Sequence, residues 1–375
     1  MRPQECCVLI PSLSPDERLP EYVRQLSAAG YGLILVVDDG SKAEYQEIFD
    51  RIAGWEGCKV LHHEVNRGKG AALKTGFQYL KEHTDFQGVI TADSDGQHTV
   101  PDTLKLTEQL GEKDELLLGS RDFSRSNKNV PPKSRFGNRM TSAVFRVLYG
   151  QWLPDTQTGL RAFPRRLLDF MTEVKGDRFE YEMNMLMHCS NRKIPMRAIT
   201  IETIYMEENK GTHFHPIRDS WRIYKLLLGN FFKFMSASVI CWLVDILLFS
   251  LLKRWGALTA LEKSMTFLQA VAPSAEPVLL ATAIARVCSA SLNFKLNKSL
   301  VFDIKKSRGA VGRYIVLCVG VMIVSGVCVS VLHALTGVNS TVIKMVVDFL
   351  LFFVNYRVQK AWVFPADAHS QKGEK

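Results

Sequence analysis

The sequence lacks the marks of several protein classes. Its eight cysteines, Cys6, Cys7, Cys58, Cys189, Cys241, Cys288, Cys318 and Cys328, form no C-x-x-C pair. This argues against a zinc or disulfide framework and for reduced, packing cysteines. The N-terminal MRPQECCVLIP has too short an apolar run for a signal peptide and passes straight into a strand-like segment, so the first domain is expected to face the cytosol. Charge of one sign is missing from residues 1–230, where acidic and basic residues are equal in number, so the whole formal excess of +9 falls in 231–375. A nucleic-acid binder would carry its basic excess on the soluble fold, and that class is disfavoured. Disorder is excluded by a hydrophobic share of 47%. A Walker A loop, G-x-x-x-x-G-K-[ST], is also absent.

What is present divides into two parts. In the C-terminal part, four segments approach or exceed bilayer length, at about 231–252, 277–297, 314–335 and 342–360. The second and fourth carry charges. Lys298, Lys305, Lys306, Arg308 and Arg313 lie between the second and third, and Lys372 and Lys375 follow the fourth. The positive-inside rule then places both termini in the cytoplasm. Asn293-Phe-Lys-Leu-Asn-Lys-Ser-Leu-Val-Phe302 aligns with Asn355-Tyr-Arg-Val-Gln-Lys-Ala-Trp-Val-Phe364, and Lys233-Phe234 aligns with Arg313-Tyr314. The match reads either as a parallel two-helix repeat or as two similar helix exits at the interface. Asp245, Arg286, Lys344 and Asp348 fall inside these segments; they are candidates for a membrane site that handles a lipid phosphate, or for structural pairs. Segment 212–230, rich in His, Trp, Arg, Tyr and Leu, reads as an amphipathic interfacial linker or an ordinary linker helix.

In residues 6–120, short apolar runs (CCVLIP, GLILVVDD, CKVLHHE, FQGVITADSD, ELLLGSR) alternate with amphipathic stretches at 17–29, 43–53, 70–83 and 101–112. That alternation predicts an α/β fold with a mostly parallel sheet and ligands at the carboxyl ends of its strands. The polar clusters Asp38-Asp39-Gly-Ser41, Asp93-Ser-Asp95-Gly-Gln97 and Gly119-Ser-Arg121 all fall at such ends. Two carboxylates two residues apart, Asp93 and Asp95, suit a hard divalent cation that takes its other ligands from substrate phosphates. Gln97 stands ready to complete or orient that shell, while the competing reading is a helix N-cap. Asn66-Arg-Gly-Lys69-Gly70 opens a helix where an anion would be favoured, or is simply a glycine-rich helix start. Arg121, Arg125, Lys128, Lys133, Arg135 and Arg139 form a basic cluster suited to phosphate, though Arg125 and Lys128 read as a solvated loop. Asp155-Thr-Gln-Thr-Gly159-Leu-Arg161 is a polar turn between helical segments.

Taken in order, P-S-L, V-V-D-D-G-S, N-R-G-K-G-A-A, D-S-D-G-Q-H, G-S-R, S-R-F-G-N-R and D-T-Q-T-G-L-R resemble the inverting family-2 glycosyltransferases of GT-A fold. Within them, the likeness is to the dolichol-phosphate mannose synthase group, and it covers about residues 5–220. Residues 231–364 resemble a GtrA-like four-helix membrane domain. The resemblance implies a transferase domain over 1–211, a linker over 212–230, the membrane domain over 231–364 and a cytosolic tail over 365–375. It implies that Pro11, Asp38 and Asp39, with Lys69 and Asp93, line the nucleotide-sugar pocket. Asp93, Asp95 and Gln97 would hold Mg²⁺ or Mn²⁺, and Arg121, Arg135 and Arg139 the acceptor phosphate. Two departures stand out. The family's P-x-[YL]-N-E reads Pro11-Ser-Leu-Ser14-Pro15, with the acid displaced to Asp16 or Glu17, which bears on how the base is read. The basic residue before the family's G-x-S-K motif is replaced in Glu207-Glu-Asn-Lys-Gly-Thr-His213.

The expected reaction moves a sugar from a UDP- or GDP-sugar to a polyprenyl phosphate such as undecaprenyl or dolichyl phosphate, at the inner face of the plasma membrane. A phosphate monoester is largely dianionic at neutral pH and needs no strong base. Asp155 is therefore the candidate base only for a hydroxyl acceptor. Two other readings remain: a saccharide-directed transferase, and a lipid-sugar carrier or flippase whose transferase half only binds ligand. The Q-x-x-R-W signature of processive members is absent.

Overall fold

The computed structural model describes residues 1–124, 127, 130–202, 216–254, 279–302 and 309–365. Arg125, Lys128, the 207–213 stretch, Lys305, Lys306, Arg308 and the tail with Lys372 and Lys375 lie outside the described residues. The chain forms two compact units, Met1–Leu227 and Leu228–Lys375.

The first unit is built on seven strands: β1 Cys6–Ser12, β2 Leu33–Asp38, β3 Cys58–His62, β4 Gly88–Thr91, β5 Leu116–Arg121, β6 Arg161–Pro164 and β7 Met196–Ile201. Their order is β3-β2-β1-β4-β6-β5-β7. All pairings are parallel except those of β6, which runs antiparallel to both β4 and β5. The apolar runs read from the sequence are β1 to β5, and β6 and β7 are additions. Every residue of β1 is buried, as a central parallel strand covered on both faces requires. The two-residue period of a strand sorts β1 between two cores. Cys7 and Leu9 join α3 (Lys69–His83), α5 (Pro132–Tyr149), α6 (Leu168–Glu173) and α7 (Glu180–Asn191), whereas Cys6, Val8 and Ile10 join α1 (Arg18–Ala28), α2 (Gln46–Ala53) and α4 (Val100–Gln109).

This topology fixes where a ligand can sit. The chain leaves β1 and β4 in opposite directions along the sheet, and the crevice at such a reversal opens at the strands' carboxyl ends. Because β6 is antiparallel, its first residue, Arg161, lies opposite Thr91 at the end of β4. The turn 155–160 is thereby delivered to the same edge as Asp93.

The described residues from Pro216 on are mainly helical, beginning within the first unit and running through the second. A single helix, α8, runs Pro216–Arg254, so the expected linker from residue 216 and the first expected span are one continuous element. Leu227, near its start, is fully buried in the first unit's core. Among the described residues three more helices follow, Leu279–Leu296, Ala310–Thr336 and Ser340–Val358. Two stretches of the described residues are long and apolar enough to cross a bilayer, Tyr224–Leu252 and Ala310–Thr336. The other two helices carry Arg286 and Lys295, and Lys344, Asp348 and Arg357, and fall outside that measure.

The repeat read from the sequence has a geometric counterpart in this unit. Both aligned segments end in a five-residue π-turn, Asn297–Val301 and Gln359–Val363. Residues equivalent under the alignment meet each other. Asn297 Nδ2 donates to Gln359 Oε1 at 3.0 Å, 62 residues away in sequence, and the rings of Phe302 and Phe364 stack at 5.3 Å. Phe234 meets Tyr356 at 5.3 Å and 62°, while the equivalent Tyr314 meets Phe294 at 5.4 Å and 64°. Self-pairing of equivalent residues is the signature of a local two-fold axis between two parallel helix pairs. Asp245 and Ser325 are likewise equivalent, and each pairs with the next helix of its own repeat. Asp245 lies 3.6 Å from Arg286, and Ser325 Oγ donates to Asp348 Oδ1 at 2.6 Å.

Candidate active site

The carboxyl edge of the sheet gathers most of the unit's buried charge. Asp38, at the end of β2, accepts from the Ser41 amide at 2.8 Å and Gln46 Nε2 at 3.1 Å, and lies 3.0 Å from His62 Nδ1. Burial works to raise its pKa, but these bonds outweigh burial and hold the carboxyl below its ordinary value. Asp39 is buried and accepts from the amides of Arg67 at 2.9 Å and Gly68 at 2.7 Å, with His63 Nδ1 at 2.8 Å. Its carboxylate thus shapes the turn that opens α3. Gly68 has φ +103°, and a Cβ there would overlap the Asp177 carbonyl and Arg178, so only glycine fits this docking. Pro11 is buried in β1, in register with Val37. Asp16 and Glu17, the displaced acids, pair at the surface with Arg18 and Arg51 at 2.6 and 2.7 Å.

Asp93 leaves β4 into the centre of this edge. Lys69 Nζ lies 2.6 Å from Asp93 Oδ1 and 2.9 Å from Glu182 Oε2. His98 Nε2 is 3.4 Å from Asp93 Oδ2. Burial would raise the Asp93 pKa, but Lys69, then His98, outweigh it and keep the carboxylate ionised. Asp95 goes the other way: burial first and the neighbouring Asp93 second push its pKa up, although the Gln97 amide donates to it at 3.0 Å. Two carboxylates with opposed environments, one of them held proton-hungry, are a fitting donor pair for a divalent cation. Among the described residues no three His, Cys, Asp or Glu side chains converge on a metal position. Any cation here would therefore draw further oxygens from a ligand and water, as Mg²⁺ does on substrate phosphates.

On the other side of β6 lies an open cleft of about 520 Å³ lined by Arg121, Arg135, Asn138, Arg139 and Trp152. The three arginines singled out in the sequence are thus brought together. Arg121 forks onto the fully buried Asp155, with Nε at 2.7 Å from Oδ2 and Nη2 at 3.2 Å from Oδ1. The Gln157 amide also donates to Asp155, at 3.0 Å. Arg135 Nη2 donates to the Asn127 carbonyl at 2.8 Å.

Sequence reasoning missed three contributors. Glu182 comes from α7, far along the chain. Arg161, fully buried, donates to the carbonyls of Thr158 at 3.0 Å and Glu182 at 2.8 Å. Gly159 stands so close to Asp93 that a Cβ would overlap its carboxylate. Only Arg161 and Gly159 carried a sequence signal, as part of the Asp155–Arg161 turn.

Residues 7–171 match the family model for glycosyl transferase family 2, and residues 233–364 match that for the GtrA/DPMS transmembrane domain. An uncharacterised protein of Methanocaldococcus jannaschii is 30% identical over 231 residues, 61% of this chain and 93% of that protein. The UDP-N-acetylglucosamine–dolichyl-phosphate N-acetylglucosaminyltransferase of Methanococcus voltae is 28% identical, over 55% of this chain and 89% of the relative. Glycosyltransferase AglJ of Haloferax volcanii is 26% identical, over 59% and 70%. Among solved structures, glucosyl-3-phosphoglycerate synthase of Mycobacterium tuberculosis with UDP overlaps at a TM-score of 0.45 and 17% identity, over 60% of this chain and 79% of that one. An overlap that loose bears on no residue of this chain.

Proposed function

Since the chain belongs to glycosyltransferase family 2 and carries a GtrA-like transmembrane domain behind its GT-A-like domain, we propose that it transfers a sugar from a nucleoside-diphosphate sugar to a polyprenyl phosphate. The observation that carries this reading is the state of Asp155. The carboxylate best placed to act as a base beside the arginine cleft is buried and taken up by Arg121 and the Gln157 amide. A hydroxyl acceptor needs a base; a phosphate dianion brings its own nucleophilic oxygen and needs a cationic grip. Arg121, Arg135 and Arg139 supply that grip. The Methanococcus voltae relative, named for a dolichyl-phosphate acceptor, agrees with it.

In this reading the acceptor oxygen attacks the anomeric carbon in line as the bond to the diphosphate breaks, so one displacement inverts the centre. The arginines orient the attacking phosphate, and no proton has to leave it. Asp93 and Asp95, with Gln97 alongside, would hold Mg²⁺ or Mn²⁺, whose chemistry there is to neutralise charge on the departing diphosphate. Pro11, Asp38, Asp39 and Lys69 would shape the nucleotide-sugar pocket. The membrane part would cross four times, with both termini in the cytoplasm at the inner membrane. Within that part Arg286 or Lys344 would handle the lipid's phosphate, with Asp245 and Asp348 as their acidic neighbours.

The test is to incubate the purified full-length protein with Mg²⁺ or Mn²⁺, undecaprenyl phosphate and a panel of UDP- and GDP-sugars. Mass spectrometry then looks for a lipid-phosphate-sugar. A metal-dependent product lost in Asp95→Asn is expected and would identify the donor. Nucleotide binding without product from any donor would shift the acceptor to a saccharide.

A further inference from the structure

Lys69 occupies an unusual place for a cation. It is the first residue of α3, where the helix dipole is positive and a lysine is electrostatically unfavourable. Its ammonium is mostly buried, and burying an ion pair rarely adds stability over an apolar packing. Stability of α3 therefore does not explain it. Its two partners do: Asp93 at 2.6 Å and Glu182 at 2.9 Å.

The surrounding backbone is built to keep that triad close. A Cβ on Gly68 or Gly70 would collide with the 177–181 segment, and one on Gly159 with Asp93 itself. The Ala71 amide donates to the Asp177 carbonyl at 2.8 Å, which fixes α3 against the chain entering α7. Arg161 then ties the Glu182 carbonyl to the 155–160 turn. Asp93, Asp95 and Glu182 set against Lys69 leave two negative charges when ionised, which is the complement of one divalent cation.

We propose that Glu182 and Lys69 are positioning residues that set the charge of the cation site: Glu182 holds the Lys69 ammonium, which would otherwise neutralise Asp93, and restores the negative charge that Lys69 removes. This rests on the metal reading given above. It has a signature that a packing role lacks, because the two residues push cation affinity in opposite directions. Removing the Glu182 charge frees Lys69 to neutralise Asp93, so binding weakens; removing the Lys69 charge leaves the carboxylates uncompensated, so binding tightens.

The experiment is an electron paramagnetic resonance titration of Mn²⁺ on the detergent-solubilised full chain, with UDP or GDP present. Glu182→Gln is expected to raise the Mn²⁺ dissociation constant about tenfold, and Lys69→Met to lower it. Glu182→Asp, which keeps the charge, should remain near wild type, and circular dichroism confirms that each variant is folded. The inference is overturned if Glu182→Gln binds Mn²⁺ like wild type, or if both variants weaken binding alike. Asp95→Asn separates the two levels. Loss of binding in Asp95→Asn with wild-type binding in Glu182→Gln removes only the positioning role. A wild-type protein that binds no Mn²⁺ with either nucleotide removes the metal reading and this inference together.

Discussion

The two units handle buried charge in opposite ways. In the α/β unit, charged partners come from distant parts of the chain and converge on one sheet edge: Lys69 with Asp93 and Glu182, and Arg121 with Asp155. In the helical unit two pairs among the described residues are local: Asp245 lies beside Arg286 on the next helix, and Asp348 beside Lys344 one turn away. Asp245 and Ser325 both stand twelve residues beyond the equivalent Lys233 and Arg313, or about 18 Å along their helices. At that depth an unpaired charge would have no water to turn to, and both acids have a cation close by. At the sheet edge the charges are arranged in excess around a crevice, where a ligand's own charge can complete the set. The two repeats differ in the same sense. Their axis keeps the self-pairing of Asn297 with Gln359 and Phe302 with Phe364, whereas the mid-depth positions have diverged from an Asp–Arg pair to a Ser–Asp–Lys set.

If the sheet edge is organised for chemistry, small intrusions there should damage turnover more than stability. Gly159→Ala places a methyl on the Asp93 carboxylate and is expected to lower turnover by about 10²-fold, since an ångström of misplacement costs that much. A matching loss of melting temperature with unchanged turnover would make Gly159 a folding residue only. Arg121→Met comes next. It strands the buried Asp155 carboxylate and should cost about 3–5 kcal/mol of unfolding free energy. Adding Asp155→Asn should recover much of it, and denaturant titration of the four proteins closes the cycle. In the helical unit, either Asn297→Leu or Gln359→Leu breaks the bond across the axis, leaves the other buried amide only its bond within its own helix, and should cost about 1–3 kcal/mol. The double variant should lose less than the two singles combined. Simple additivity in detergent melts would deny that the pair works as a unit on the repeat axis.

The sequence was legible where the signal was local. Strands β1 to β5 are continuous apolar runs ending in polar clusters, so both their existence and the functional edge could be read. β6 could not: four residues, Arg161–Pro164, with an arginine first, have no strand periodicity, and the strand exists because β4 and β5 flank it. The Asp93–Asp95 pair and the arginine cluster were visible as spacing. Glu182 was not, because it meets Lys69 across 113 residues and nothing in EYEMNM marks a buried acid. In the membrane part, N-[FY]-[KR] followed by V-F hinted at the repeat, but only the meeting of equivalent residues distinguishes an axis from two similar helix exits.

The smallest expected effect tests whether Asp38 belongs with the architecture or with the ligand-completed charges. Its carboxylate is already satisfied by Ser41, Gln46 and His62, and its pKa is held down in the folded protein. A depressed folded pKa stabilises at pH values above the unfolded pKa, and that stability is lost as pH falls through the folded value. Asp38→Asn, which keeps one acceptor oxygen, should therefore cost about 1 kcal/mol at neutral pH, the net worth of one ordinary hydrogen bond. The gap to wild type should stay constant down to the ordinary carboxylate range near 4, then close on further acidification. Melting curves of both proteins across that range decide the matter. A gap that persists below it would place Asp38's contribution in shape rather than charge. A gap that appears only when nucleotide is added would move Asp38 from the scaffold to the ligand-completed side of the comparison.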